Sequence, residues 1–364
     1  MKPPLMDRSS PHHPSPALPA PSPHLGGGAR EGVRGASLSD SWLQGAAPPG
    51  SVAQIPCRGR ACLLTVLFVA SALGLAPGIA HARLNVIATT ADLAALAREI
   101  GGDRVEVTTL AKPTEDAHFV DAKPSFIVKL NRADALIEGG AELEAGWLPP
   151  LLERARNPKL APKQPGRILC AQGVEMLEVP ATLDRSQGDI HAAGNPHFTT
   201  DPLNGRLIAA TLTAAFAQLE PASAGVFRAN QAKFDERLQA RLAEWQKLLA
   251  PFAGRRVVTY HNSWIYFARR FGIKMDVFLE PKPGLPPTPA HLAAVVARMK
   301  AEQIQLIVSE PHLNRKTAET VAGHTGARLL DFASYPGGLK AGEGYLEWMD
   351  ALVRSLARGF EAGR

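Results

Sequence analysis

Cysteine is scarce in this 364-residue chain. Its three residues, Cys57, Cys62 and Cys170, are too few for the disulfide scaffold on which many small exported proteins depend. There is no Lys/Arg run interleaved with aromatics, and the basic residues are scattered among acidic ones. The formal charge of +6 therefore does not point to nucleic acid. No HExxH helix is present to suggest a zinc hydrolase, and no internal repeat suggests a solenoid. The longest apolar run, in CLLTVLFVASALGLA, is about 15 residues, short of the roughly 20 that span a bilayer.

What is present divides the chain into regions. Residues 1–57 are crowded with Pro, Gly, Ser and Ala, as in PSPHLGGGAR, and hold too little apolar bulk for a core. A disordered lead is expected there. It is long for the front of a signal, so the true translation start is expected downstream of Met1. Residues 58–82 then supply Arg58 and Arg60, the apolar run, and the small-x-small end Ala80-His81-Ala82. This pattern predicts a signal peptide cleaved after Ala82. Cys62 lies at the front of the apolar run, not behind it, so a lipid anchor is not expected. After cleavage Cys170 remains alone among apolar neighbours, which predicts an inert buried thiol.

From Arg83 onward, strand and helix patterns alternate. LNVIATT, RVEVTTLA and DALIEGG read as strands, with ADLAALAREIGG, KPSFIVKLNRA and LEAGWLPPLLERA as helices. The alternation restarts with RRVVTYH, SWIYFARRFG, IQLIVSE, RKTAETVAGHTG and ARLLDF. Two α/β lobes with parallel sheets follow, at residues 83–220 and 253–364. Between them, 221–252 carries Phe227, Phe234, Leu238, Leu242, Trp245 and Leu249 at helical spacing, with neither Gly nor Pro from 226 to 250. One long rigid linking helix of about 40 Å is expected. EPKPGLPPTP, residues 280–289, reads as a stiff connector.

Three histidines occupy comparable places. His197 stands in GNPHFTTDP, where Pro196 narrows the backbone before it and Asp201-Pro202 reads as a helix N-cap followed by the favoured first-turn proline. His118, in TEDAHFVDAKPS, lies in a strand-to-helix loop, and His261, in VVTYHNSW, ends a strand. Ligands of open α/β sheets bind beyond the carboxyl ends of strands, and three imidazoles with one carboxylate suit tetrahedral Zn(II). Hydrogen-bonded turn histidines are the structural alternative.

EDAHFVDAKPS, GNPHFTTDP, VVTYHNSWIYFARRFGI and LIVSEPHLNRKTAETVAGHTGARLL occur in that order. Together they resemble the ZnuA- and TroA-like solute-binding proteins of bacterial zinc and manganese ABC transporters, over Arg83 to Gly363. The resemblance implies two α/β lobes joined by a long helix, a metal between the lobes, and delivery to a membrane permease with its cytoplasmic ATPase. It implies His118, His197 and His261 as ligands, with a carboxylate from the last strand region as the fourth. Asp331 in RLLDFASYPGG is the nearest match, with Glu310 or water as alternatives. The His/Asp/Glu-rich loop common in zinc members shrinks here to Asp184, Asp189 and His191, and an exposed loop position is expected for His191. Histidine at the third position favours Zn(II) over Mn(II). The expected protein is a monomeric periplasmic metal-binding protein without catalytic activity or nucleic-acid partner. A manganese homologue, a secreted zinc hydrolase and an adhesin on the same scaffold are the rival readings.

The exported form is expected to begin at Arg83. Mass spectrometry of the exported fraction checks this, and peptides from residues 1–57 in that fraction would contradict it.

Overall fold

A computed structural model describes residues 83–184, 188, 191–339 and 342–363. The expected lead, signal peptide and cleavage site lie outside the described residues, as does Asp189. The first sheet holds β1 (Leu84–Ala88), β2 (Val105–Thr109), β3 (Ala135–Glu138) and β4 (Arg167–Leu169), in the order β2-β1-β3-β4. The second holds β5 (Arg256–Thr259), β6 (Lys274–Phe278), β7 (Leu306–Ser309) and β8 (Arg328–Asp331), in the matching order β6-β5-β7-β8. All pairings are parallel. The helices are α1 (Ala91–Gly101), α2 (Pro124–Arg132), α3 (Leu148–Ala155), α4 (Pro202–Leu219), α5 (Ala224–Leu249), α6 (Ile265–Phe271), α7 (Pro289–Ala301), α8 (Arg315–Thr325) and α9 (Tyr345–Glu361).

The period of two along each strand decides which side chain meets which layer. Val86 and Ile137 of the first sheet, with Val257 and Val308 of the second, enter one continuous core built with α1, α4, α5, α6 and α9. Their neighbours Ile87 and Leu136 turn the other way, onto Phe126 and Leu130 of α2 and Leu151 of α3. In the second sheet Val258 and Ile307 face Val295 and Met299 of α7 and Val321 of α8. Both faces of each central strand are covered, which is why LNVIA, RVVT and LIVS are nearly continuous apolar runs.

The 26-residue α5 is unbroken and packs on α1, α4 and α9, with Phe227, Phe234 and Trp245 buried. Gly205 of α4 allows Tyr345 of α9 to come close, because a Cβ there would lie 2.5 Å from the phenol oxygen. Four elements fall outside the sequence-level expectation: β4, β6, α7 and α9. β4 has only three residues, and β6 begins just two residues after the Gly272 C-cap, whose φ is +67°. The helix expected from Leu143 starts at Leu148 instead, because Leu143–Trp147 is held as a turn before Pro149 and Pro150. Cys170 is fully buried, and burial pushes its thiol well above the usual range. No helix among the described residues is long and apolar enough to cross a membrane.

Asp201 caps α4 by accepting from the Leu203 amide at 2.9 Å. Its two carboxylate oxygens also take Arg270 of α6, at 2.7 and 2.8 Å. The carboxylate is buried, so Arg270→Ala would strand a charge away from water. We expect a loss of about 3 kcal/mol, read from the denaturant midpoint at unchanged slope.

Candidate metal centre

In a sheet of order 2-1-3-4 the chain reverses direction between the first and third strands, and the crevice for a ligand opens at their carboxyl ends. Here those ends are Thr89–Thr90 and Gly139 in the first sheet, and Tyr260–His261 and Glu310 in the second. A cavity of about 400 Å³ lies there, lined by His118, His197, His261, Glu280, Glu310 and His312 among others.

His118 sits in the loop after β2. Trp147 pins that loop by donating its indole N–H to the Ala117 carbonyl at 2.8 Å. Asp116 Oδ1 accepts both the His118 amide, at 2.9 Å, and His118 Nδ1, at 2.8 Å. Burial opposes ionisation of Asp116, but the hydrogen bond and charge of His118 outweigh it and hold the carboxyl at about 2. In the neutral ring, Nδ1 donating to the carboxylate leaves the lone pair on Nε2, and that atom is buried without a hydrogen-bond partner.

His197 opens a short 3₁₀ turn, Phe198–Thr200, whose last residue donates its backbone and hydroxyl to the His197 carbonyl at 3.2 and 2.8 Å. Burial, reinforced by the neighbouring imidazoles, pushes His197 well below the ordinary histidine range and keeps it neutral. His261 follows β5 and donates Nδ1 to Glu280, which stands in the Pro-rich connector. Burial favours its neutral form, but Glu280 overrides this and raises its pKa.

One ligand atom from each of His118, His197 and His261 falls within 4.8 Å of the others. The Nε2 atoms of His197 and His261 are 3.2 Å apart. Two nitrogens bound to one tetrahedral ion at about 2.0–2.1 Å stand roughly 3.3 Å apart, so this pair already has the spacing of a shared ion. Donor type, spacing and the orphaned His118 Nε2 all fit a divalent cation held by nitrogen.

The structure does not bring Asp331 to the histidines. Leu329 of β8 turns toward the outer cluster, and Leu330 and Phe332 turn toward the central core. Asp331 shares the outward side with Leu329, where it pairs with Arg315 of α8 and is half exposed. Glu310 lines the cavity instead. It is 2% exposed, Trp264 Nε1 donates to its Oε1 at 2.8 Å, and its Oε2 has no partner. Burial pushes this carboxyl up to about 7. His191 is not the exposed residue expected. It is half-buried and stacks on the His118 ring at 5.3 Å, in a loop whose Ala192 amide donates to Glu142. Glu280 and His312 join the cavity without any motif that singles them out. His312 lies against Ser334, at 3.3 Å, and burial lowers its pKa.

A doubly lobed α/β fold with a three-histidine cleft between its sheets defines a metal-binding solute-binding protein of the kind that serves ABC transporters. Residues 86–359 match the family described as zinc-uptake complex component A, periplasmic, and the chain belongs to that family. It is a transport family and not an enzymatic one. The iron-binding protein YfeA of Yersinia pestis is 25% identical over 320 residues, covering 84% of this chain and 97% of that protein. The zinc-binding lipoprotein AdcA of Streptococcus pneumoniae is 23% identical over 76% of this chain, which spans 56% of that longer protein. A crystal structure of ZnuA superposes with a TM-score of 0.65 at 23% identity, over 76% of this chain and 98% of that one. Relatives are named for zinc, manganese and iron, and they are periplasmic or lipoprotein solute-binding proteins, which implies export. Proteins of this class work with a membrane permease and its ATPase.

Proposed function

We propose that the chain is a periplasmic zinc carrier, exported through residues 58–82, monomeric, and delivering Zn(II) to its permease for high-affinity uptake. The observation that carries this reading is the donor set. Three imidazole nitrogens gather within 4.8 Å. Two of those imidazoles are oriented through Nδ1 by the carboxylates Asp116 and Glu280. Borderline nitrogen donors suit Zn(II), whereas Mn(II) is better served by oxygen-rich sites. Glu310 is the candidate for the remaining position, because its free Oε2 is buried in the wall of the same cavity. That arrangement would still be dominated by nitrogen, with one carboxylate offsetting part of the ion's charge.

Chelator-competition titrations of the chain from Arg83, purified without a histidine tag, test the reading. One zinc per chain is expected. His118→Ala, His197→Ala and His261→Ala should each weaken zinc by roughly 100-fold or more, and Glu310→Gln by about tenfold. Asp331→Ala should leave affinity unchanged, since that carboxylate faces Arg315. Retained affinity in any of the three histidine variants would remove the site. Because free imidazoles titrate near 6.5 and must be neutral to coordinate, zinc should be released as pH falls toward 5.

The lobes should move little on loading. An unbroken 26-residue helix, about 39 Å long at 1.5 Å per residue, packs beside a core that both sheets share. Small-angle scattering of metal-free and zinc-loaded protein should give nearly equal radii of gyration, and a large compaction would refute a rigid frame.

A further inference from the structure

Asn195, just before Pro196, is 9% exposed and has every polar group engaged. Its amide donates to the Leu177 carbonyl at 2.8 Å, and its carbonyl accepts the Tyr266 hydroxyl at 2.8 Å. The side-chain oxygen accepts the His197 amide at 3.0 Å. The side-chain nitrogen donates to the Asn262 carbonyl at 2.9 Å and to Glu178 Oε2 at 3.2 Å. Glu178 Oε2 in turn accepts the Asn262 side chain at 2.6 Å. One carboxamide therefore holds the backbone at His197 with its oxygen and the backbone at the residue after His261 with its nitrogen.

We infer that Asn195 is a positioning residue that sets the spacing of His197 and His261 and thereby governs how long the metal is held. The inference rests on the metal-binding reading above. The two histidines come from segments 64 residues apart, one in the loop before α4 and one just after β5, yet their Nε2 atoms stand 3.2 Å apart, close to the separation a shared tetrahedral ion needs. A spacing that is set beforehand need not be drawn from the binding energy of the ion, and a ligand that swings away is the first step of release. No other residue type serves both backbones equally. Aspartate keeps the acceptor but turns a second oxygen toward the Asn262 carbonyl and the Glu178 carboxylate. Serine also keeps an acceptor for the His197 amide, but it has no reach to Asn262.

The test compares wild type with Asn195→Asp, Asn195→Ser and Glu178→Gln. The last keeps an oxygen that accepts from both asparagines. Zinc release into excess chelator is followed by stopped flow, and Co(II) absorption reports the ligand field. Asn195→Asp and Asn195→Ser should release zinc about tenfold faster or more, with altered Co(II) bands, while Glu178→Gln stays near wild type. Serine is the milder change and answers the question if the aspartate variant does not fold. Wild-type release and wild-type Co(II) bands in folded Asn195→Ser overturn the positioning role while leaving the metal site intact. Failure of the wild-type chain to take up zinc or Co(II) overturns both.

Discussion

Three half-buried imidazoles aimed at one point are the constraint around which the molecule is organised. Any one of them carrying a proton would repel the others, and burial makes that charge costly. His197 responds by staying neutral. His118 and His261 are turned by Asp116 and Glu280, which face Nδ1 of each ring and offset part of any positive charge there, leaving Nε2 as the other ring nitrogen. His197 Nε2 and His261 Nε2 stand within hydrogen-bond distance of each other, at 3.2 Å. His118 Nε2 is left without a partner. A buried acceptor in that state is unfavourable, and a divalent cation relieves it.

Holding that arrangement takes a frame without slack. Both sheets send alternate residues into one core, and α1, α4, α5, α6 and α9 supply the rest of it. Several direct ties then join the segment bearing His197 to the segment bearing His261. Arg270 grips Asp201 at the start of α4, and Tyr266 bonds to Leu177 and Asn195, while Tyr345 of α9 ties a third element to the His197 segment by donating to the Thr199 carbonyl at 2.7 Å. Each tie has one end within a few residues of His197 or His261. The stability of the fold and the geometry of the site are therefore carried by some of the same bonds.

Much of this is legible in the sequence, and the reason is local chemistry. Pro196, Pro124 and the Asp201-Pro202 step restrict backbone conformation, so residue identity alone puts the loops bearing His118 and His197 at helix starts. His261 follows an unmistakable apolar strand. Asp331 escapes the same reasoning because its position depends on parity. Along β8 a shift of one residue exchanges the inner and outer faces, and nothing local to RLLDF says which side the aspartate takes. Only the packing of Leu329 and Leu330 on opposite sides decides it. Glu280 gives no signal at all, since it reaches His261 from a connector 19 residues away. The strand β4 is hidden because three residues are too few to establish a period.

Selectivity cannot come from the three nitrogens alone. Copper(II) binds the same donors more tightly than zinc does, and the order of affinities among first-row ions is largely indifferent to the protein. What the protein controls is geometry and charge. A His197–His261 pair held near 3.2 Å favours an ion content with tetrahedral nitrogen, and it disfavours ions that prefer a flatter or more oxygen-rich shell. In the proposed site Glu310 would add a second control, because a buried carboxylate with one oxygen fixed by Trp264 offers a single further oxygen and no more.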